Sequence, residues 1–193
     1  MYLPQIDDER TTLCKYLDVQ LDAIRASSYG LDDAQARCAP LRSALSISGI
    51  TKHIIFCMKQ SLSGAGHHEH DQPFEAFFAS FTASDDEDIA TLLETFDAVR
   101  GQYMEMCREG DLEAELPVGP MPWVGMDEAR PAKLRYLYVH HVEEFARHAG
   151  HADIIREQFS GLGAVVPNAR TLSLIHISEP TRREWLSRMP SSA

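Results

Sequence analysis

This chain of 193 residues has no CxxC pair, no long apolar run and no strand-like alternation of apolar and polar positions. Its four cysteines, Cys14, Cys38, Cys57 and Cys107, are spread too thinly for the dense framework of a small secreted domain, so reduced thiols and no disulfide are expected. A membrane span needs about eighteen consecutive apolar residues, and none run together here. The Met-Tyr-Leu-Pro start lacks the basic and apolar regions of a signal peptide, so a cytoplasmic location is expected. Positive charge is also short: 18 Lys and Arg stand against 29 Asp and Glu, a formal net charge of −11. A phosphate backbone or an anionic lipid surface would repel such a chain, so the expected partner is a small molecule, without nucleic acid or membrane. A homodimer is the assembly considered. Internal repeats and low-complexity tracts are missing too.

What is there is helical periodicity. One pattern runs over about 7–27, with Leu13, Leu17, Leu21 and Ile24 on one face and Asp7, Asp8 and Glu9 suited to the positive end of the helix dipole. After a polar connector, a second begins with Ser46 or Ser48 as N-cap and carries Ile50, His53, Ile54, Cys57 and Met58 towards Leu62, ending at Gly64-Ala65-Gly66. A loop holding the HHEHD run of His67 to Asp71 follows, read as solvated. Phe74, Phe77, Phe78 and Phe81 are expected to fold back onto the helices. Ser84 to Glu87 reads as a capping box opening a third helix that reaches Cys107 or Arg108, with Ile89, Leu92, Leu93, Phe96, Val99, Tyr103 and Met106 inward. Residues 112–126, rich in Pro and Gly, read as an irregular connection. Pro131 then reads as the first-turn proline of a fourth helix ending near Phe159 and Gly161. The expected fold is all-α, a four-helix bundle with one long crossover connection.

The run LSLIHISEPTR, Leu172 to Arg182, and the ending SRMPSSA resemble a translated transposase-type sequencing-library adapter. Residues 172–193 are therefore expected to be a non-native tail, set aside from the functional reading. The domain expected to fold is 1–171, with its native C-terminus open to truncation near Thr171. Without the tail's three Arg and two Glu it has 15 basic and 27 acidic residues, a net charge of −12.

The fourth helical pattern carries the chemistry. Leu134, Leu137, His141, Glu144, His148, His151 and Ile155 follow steps of three and four, one stripe of a helix whose ends are apolar and whose middle is ionisable. Burying such groups costs several kcal/mol unless they are paired, and a divalent metal ion satisfies imidazole and carboxylate together. Glu144 and His148, four residues apart, can hold one ion. His53, the one histidine within the second helix, is the natural third ligand. Cys57, one turn beyond His53, is an alternative ligand or a small core residue. Two His and one carboxylate leave an open coordination position, as catalytic zinc requires, and the same set suits iron(II) or nickel. His151 and His141 are the candidate proton-moving groups.

Two segments, SISGITKHIIF around His53 and HHVEEFARHAGHADIIRE from His140 to Glu157, resemble the DinB-like metal-binding four-helix family. The resemblance is nearest the branch of the mycothiol-dependent maleylpyruvate isomerase N-terminal domain and the mini-circle proteins. It implies His53, Glu144 and His148 as metal ligands, zinc as the ion, and a role in adding or transferring a low-molecular-weight thiol of the mycothiol or bacillithiol type. The chain departs from that branch at Met58 and Leu62, where an acidic residue and a large aromatic stand in other members, and it has nothing matching the isomerase's additional C-terminal domain. The leading expectation is a metal-dependent thiol S-transferase, with a metal-dependent hydrolase and a non-catalytic metal- or ligand-binding bundle as alternatives.

Overall fold

The computed structural model describes residues 4–159; the adapter-like tail and Gly161 lie outside the described residues. Six α-helices and one two-stranded hairpin follow in the order α1 (Glu9–Ser27), α2 (Asp33–Arg37), α3 (Ile47–Gly64), α4 (Glu75–Ala79), α5 (Ile89–Glu109), β1 (Glu115–Val118), β2 (Arg130–Lys133) and α6 (Leu134–Glu157). The four long helices form the bundle. α1 packs on α6 and α3 on α5, while α1 with α5 and α3 with α6 close the other two sides.

Polar side chains set the helix starts. Asp8 accepts from the Thr11 backbone N–H at 2.7 Å, Ser46 from Gly49 at 3.1 Å and Asp88 from Thr91 at 2.7 Å, each satisfying a donor that the helix leaves unpaired. The expected capping box at Ser84 is half formed: the Glu87 carboxylate accepts from the Ser84 N–H, but the helix begins later, capped by Asp88. Glu87 also pairs with Lys52 of α3 at 2.6 Å, which holds the turn against the bundle. A complete capping box occurs instead at Asp32 and Gln35, opening α2 inside the polar connector.

Leu17, Leu21, Ile24, Ile47, Ile54, Met58, Leu62, Phe96, Tyr103 and Phe145 have no exposed surface. Burying each large apolar side chain is worth about 1.5–3 kcal/mol. Met58 and Leu62, the departures from the resembling branch, thus belong to the core. On α6 the deepest residues are Tyr138, Phe145, Ala149, Ala152 and Ile155, with the His and Glu stripe along the edge of that face.

Two local readings are corrected. Pro131 lies in β2, not in a first helical turn, and α6 starts at Leu134. Residues 112–126, read as irregular, contain β1, which pairs antiparallel with β2. These strands have four residues each, too short for alternation to mark. Within this connection Gly119 has φ +95°, a left-handed conformation that favours glycine. No helix among the described residues is long and apolar enough to cross a membrane.

Candidate metal centre

α3 and α6 meet where their sequences carry ionisable groups. One ligand atom from each of His53, Glu144 and His148 lies within 4.8 Å of the others, and among the described residues this is the one such group of three. Glu144 Oε1 is 3.1 Å from His148 Nε2 and 3.5 Å from His53 Nε2. The two imidazole centroids are 5.0 Å apart. His53 and His148 are buried, and Glu144 is partly open to a cavity. Hydrogen bonds from His148 and then His53 hold the Glu144 carboxyl well below the usual carboxylate range, against the desolvation that opposes them, so Glu144 is an anion.

A polar group absent from the sequence reading orients His53. The Ser80 hydroxyl donates to the Phe77 carbonyl at 2.6 Å, which leaves its oxygen to accept from His53 Nδ1–H at 2.9 Å. That bond assigns the proton to Nδ1 and turns the Nε2 lone pair towards Glu144. Between Nε2 and the carboxylate, 3.5 Å apart, either a second ring proton, which makes the hydrogen bond to Glu144, or a metal ion can sit. His148 Nε2 faces the same carboxylate oxygen at 3.1 Å, while its Nδ1 is buried without a hydrogen-bond partner among the described residues. The donor set, two imidazoles and one carboxylate, fits zinc or another first-row divalent ion.

Aromatic rings fix the imidazole further. Phe81 stacks on His53 with centroids 4.3 Å apart, and Phe77 meets it edge-on at 6.0 Å. Of the four phenylalanines expected to fold back, these two meet the His53 ring, while Phe74 and Phe78 stay partly exposed. Gly49 permits the approach: a Cβ there would lie 2.4 Å from the Phe81 carbonyl oxygen.

Beside the three residues lies a cavity of about 370 Å³. Phe56, Phe77, Phe81 and Leu137 make its walls apolar, the β1 end and residues 119–121 close one side, and Gln60, His140 and Arg147 bring polar ends to it. A larger groove of about 750 Å³ near the ends of α3 and α5 is lined by Glu105, Glu109, Asp111 and Glu115 and brings no ligand triad together. The chemistry points to the smaller space.

The other sequence candidates fall in different places. His141 is on the cavity wall and buried, its Nδ1 2.9 Å from the Tyr103 hydroxyl, and burial first, then His140, push its pKa down to about 3. His151 is off that wall, its ring 5.6 Å from His148, with burial followed by His148 and Arg147 lowering its pKa. Cys57 lines the cavity with Sγ 3.6 Å from His53 Nε2 but lies outside the triad, and burial, reinforced by Glu144, pushes its thiol up. The HHEHD run is not wholly solvated: His67 and His68 are exposed, whereas His70 is buried, its Nε2 2.6 Å from Gln102 Oε1 on α5. An isolated run gives no sign of such a distant partner.

A family model described as mycothiol-S-transferase matches residues 12–161, and the chain belongs to that family. No curated protein and no solved structure matches it significantly.

Proposed function

We propose that this member of the mycothiol-S-transferase family is a metal-dependent thiol S-transferase whose ion is held by His53, Glu144 and His148. The observation that carries the reading is the convergence of two imidazoles and an ionised carboxylate from two helices, with His53 and Glu144 of that group lining a cavity. A divalent ion bound there would supply Lewis-acid lowering of a thiol's pKa, which makes the nucleophilic thiolate available at neutral pH. Zinc fits the donor set and the open position it leaves.

The chain's own residues do the rest. Ser80 fixes the His53 ring, and Phe77 and Phe81 keep water from its faces. The apolar walls take the hydrocarbon part of a substrate, while Gln60 and Arg147 meet polar groups of a thiol or electrophile. His141 serves as a neutral hydrogen-bonding wall group instead of a proton carrier, since so depressed a pKa leaves it a poor base at neutral pH. The reaction class is attack of a thiolate on an electrophilic carbon: the S–H proton passes to solvent, a carbon–sulfur bond forms, and either a leaving group departs with its bonding pair or, at an activated double bond, the displaced π pair takes a proton from solvent.

The test is a single-turnover assay with zinc-loaded protein, mycothiol and a fluorogenic electrophile. Thioether formation that requires metal and falls at least about 100-fold in Glu144→Gln is expected, as for loss of a group that both holds the metal and fixes the thiol. Electrophile consumed without loss of thiol would instead indicate hydrolysis. Rates equal with and without protein would overturn the reading.

A further inference from the structure

Two of the four cysteines meet away from the candidate metal centre. Cys14, half-buried on α1, lies opposite Cys107, buried on α5, in the register that contacts on either side of them set between the two helices. The helices are held together around the pair. The Arg10 guanidinium donates to the Cys107 carbonyl at 3.2 Å and to that of Gly110, and Arg100 of α5 reaches Asp18 and Asp22 of α1 at 2.6 Å each. Neither sulfur belongs to the cavity wall, and neither is used by the proposed transfer.

We propose that Cys14 and Cys107 form a dithiol that takes up a low-molecular-weight disulfide, with Cys14 as the attacking thiol and Cys107 as the resolving one. Their chemistry is unequal in the way this requires. The Cys107 hydrogen bond holds the Cys14 pKa down to about 7 against the cost of burial, with Arg10 and Arg108 assisting and Asp18 opposing. Cys107 is kept protonated, by burial first and by its contact with Cys14 second. The partly exposed sulfur is therefore the nucleophile, and its partner waits behind it.

The steps balance. The Cys14 thiolate attacks one sulfur of RSSR, forming the mixed disulfide Cys14–S–SR and releasing RS⁻. The Cys107 sulfur then attacks the Cys14 sulfur, its proton going to the second RS⁻ as that group leaves. The pair is oxidised by two electrons, RSSR is reduced to two RS groups, and an α1–α5 cross-link results. Tyr103, one turn before Cys107 on α5, is 2.9 Å from His141 on the cavity wall, so the cross-link forms one turn from a residue that touches the candidate site.

The probe is glutathione disulfide, applied to the full chain carrying Cys38→Ser so that the exposed thiol does not compete. Free thiols are then alkylated and peptides mapped by mass spectrometry without reduction. A Cys14–Cys107 cross-linked peptide is expected, replaced in Cys107→Ser by a glutathione adduct on Cys14 and lost in Cys14→Ser, with no adduct on Cys107. Circular dichroism of each variant separates misfolding from chemistry, and the Cys38→Ser chain by itself decides the outcome if Cys107→Ser does not fold. Cys14 and Cys107 both remaining alkylatable, or an adduct on Cys14 with Cys107 left free in the chain that has both, would overturn the proposal. Neither result depends on bound metal or on transferase activity.

Discussion

At the scale of single residues the account turns on what stands behind each ligand. Ser80 sits 27 positions from His53 in sequence and accepts its Nδ1 proton, so Ser80→Ala removes the group that fixes the tautomer. A 10- to 100-fold weaker zinc affinity is expected, the usual cost of losing such an orienting partner. Competition titration against a chromophoric chelator reads it; unchanged affinity with an unchanged fold would reject the role. Burial of His141 has a consequence for stability. Its pKa is about 3 folded and near 6.5 unfolded, so between those values the unfolded chain binds a proton that the folded chain refuses. Stability from the neutral ring is therefore complete above about pH 6.5 and is lost progressively as pH falls towards 3. In metal-free protein, urea unfolding at pH 6.5 and pH 5 is expected to show a smaller drop for His141→Asn than for the unaltered chain. His151, shifted the same way, supplies part of the remaining slope. Equal drops would contradict the burial argument.

At the scale of elements, α3 and α6 can hold a site because the loop before α5 is pressed onto α3 at Gly49. Gly49→Ala places a methyl group 2.4 Å from the Phe81 carbonyl, and Phe81 is the ring stacked on His53. A loss of about 1–3 kcal/mol in unfolding free energy is expected, as for other overpacked sites. Urea denaturation checks it, and a loss below about 0.5 kcal/mol, the range of neutral surface changes, would contradict it. The long helices and the pairing of Glu144 with His148 were legible in the sequence because both are local patterns, one of 3.6-residue period and one of four-residue spacing. His53 was legible as an isolated imidazole on an apolar helix face. What could not be read depended on distant partners. Ser80 looks like any loop serine, His70 is buried only because Gln102 on α5 receives it, and β1 and β2 are strands only because they pair. The starts of α5 and α6 shifted because Asp88 outcompeted Ser84 as a cap and Pro131 was recruited into the hairpin.

At the scale of the whole molecule, ion pairs tie the faces of the bundle, and among the described residues a cavity lies beside the triad. The family match stops at residue 161, short of the adapter-like run that begins at Leu172. We therefore propose that residues 1–171 carry the domain. A chain ending at Thr171 is expected to unfold within about 0.5 kcal/mol of the full chain, as for changes that touch no buried contact, and calorimetry of the two measures it. A substantially less stable short chain would show that the tail packs on the bundle.

The central claim is that His53, Glu144 and His148 hold one ion, and elemental mass spectrometry of reconstituted protein tests it most directly. His67 and His68 should be changed to Ser beforehand to remove exposed imidazoles, leaving the buried His70 in place. About one divalent ion per chain is expected, as for a single three-ligand site, with loss of that ion in Glu144→Gln and in the double variant His53→Ala, His148→Ala. Metal content that is the same in all three proteins would contradict the account.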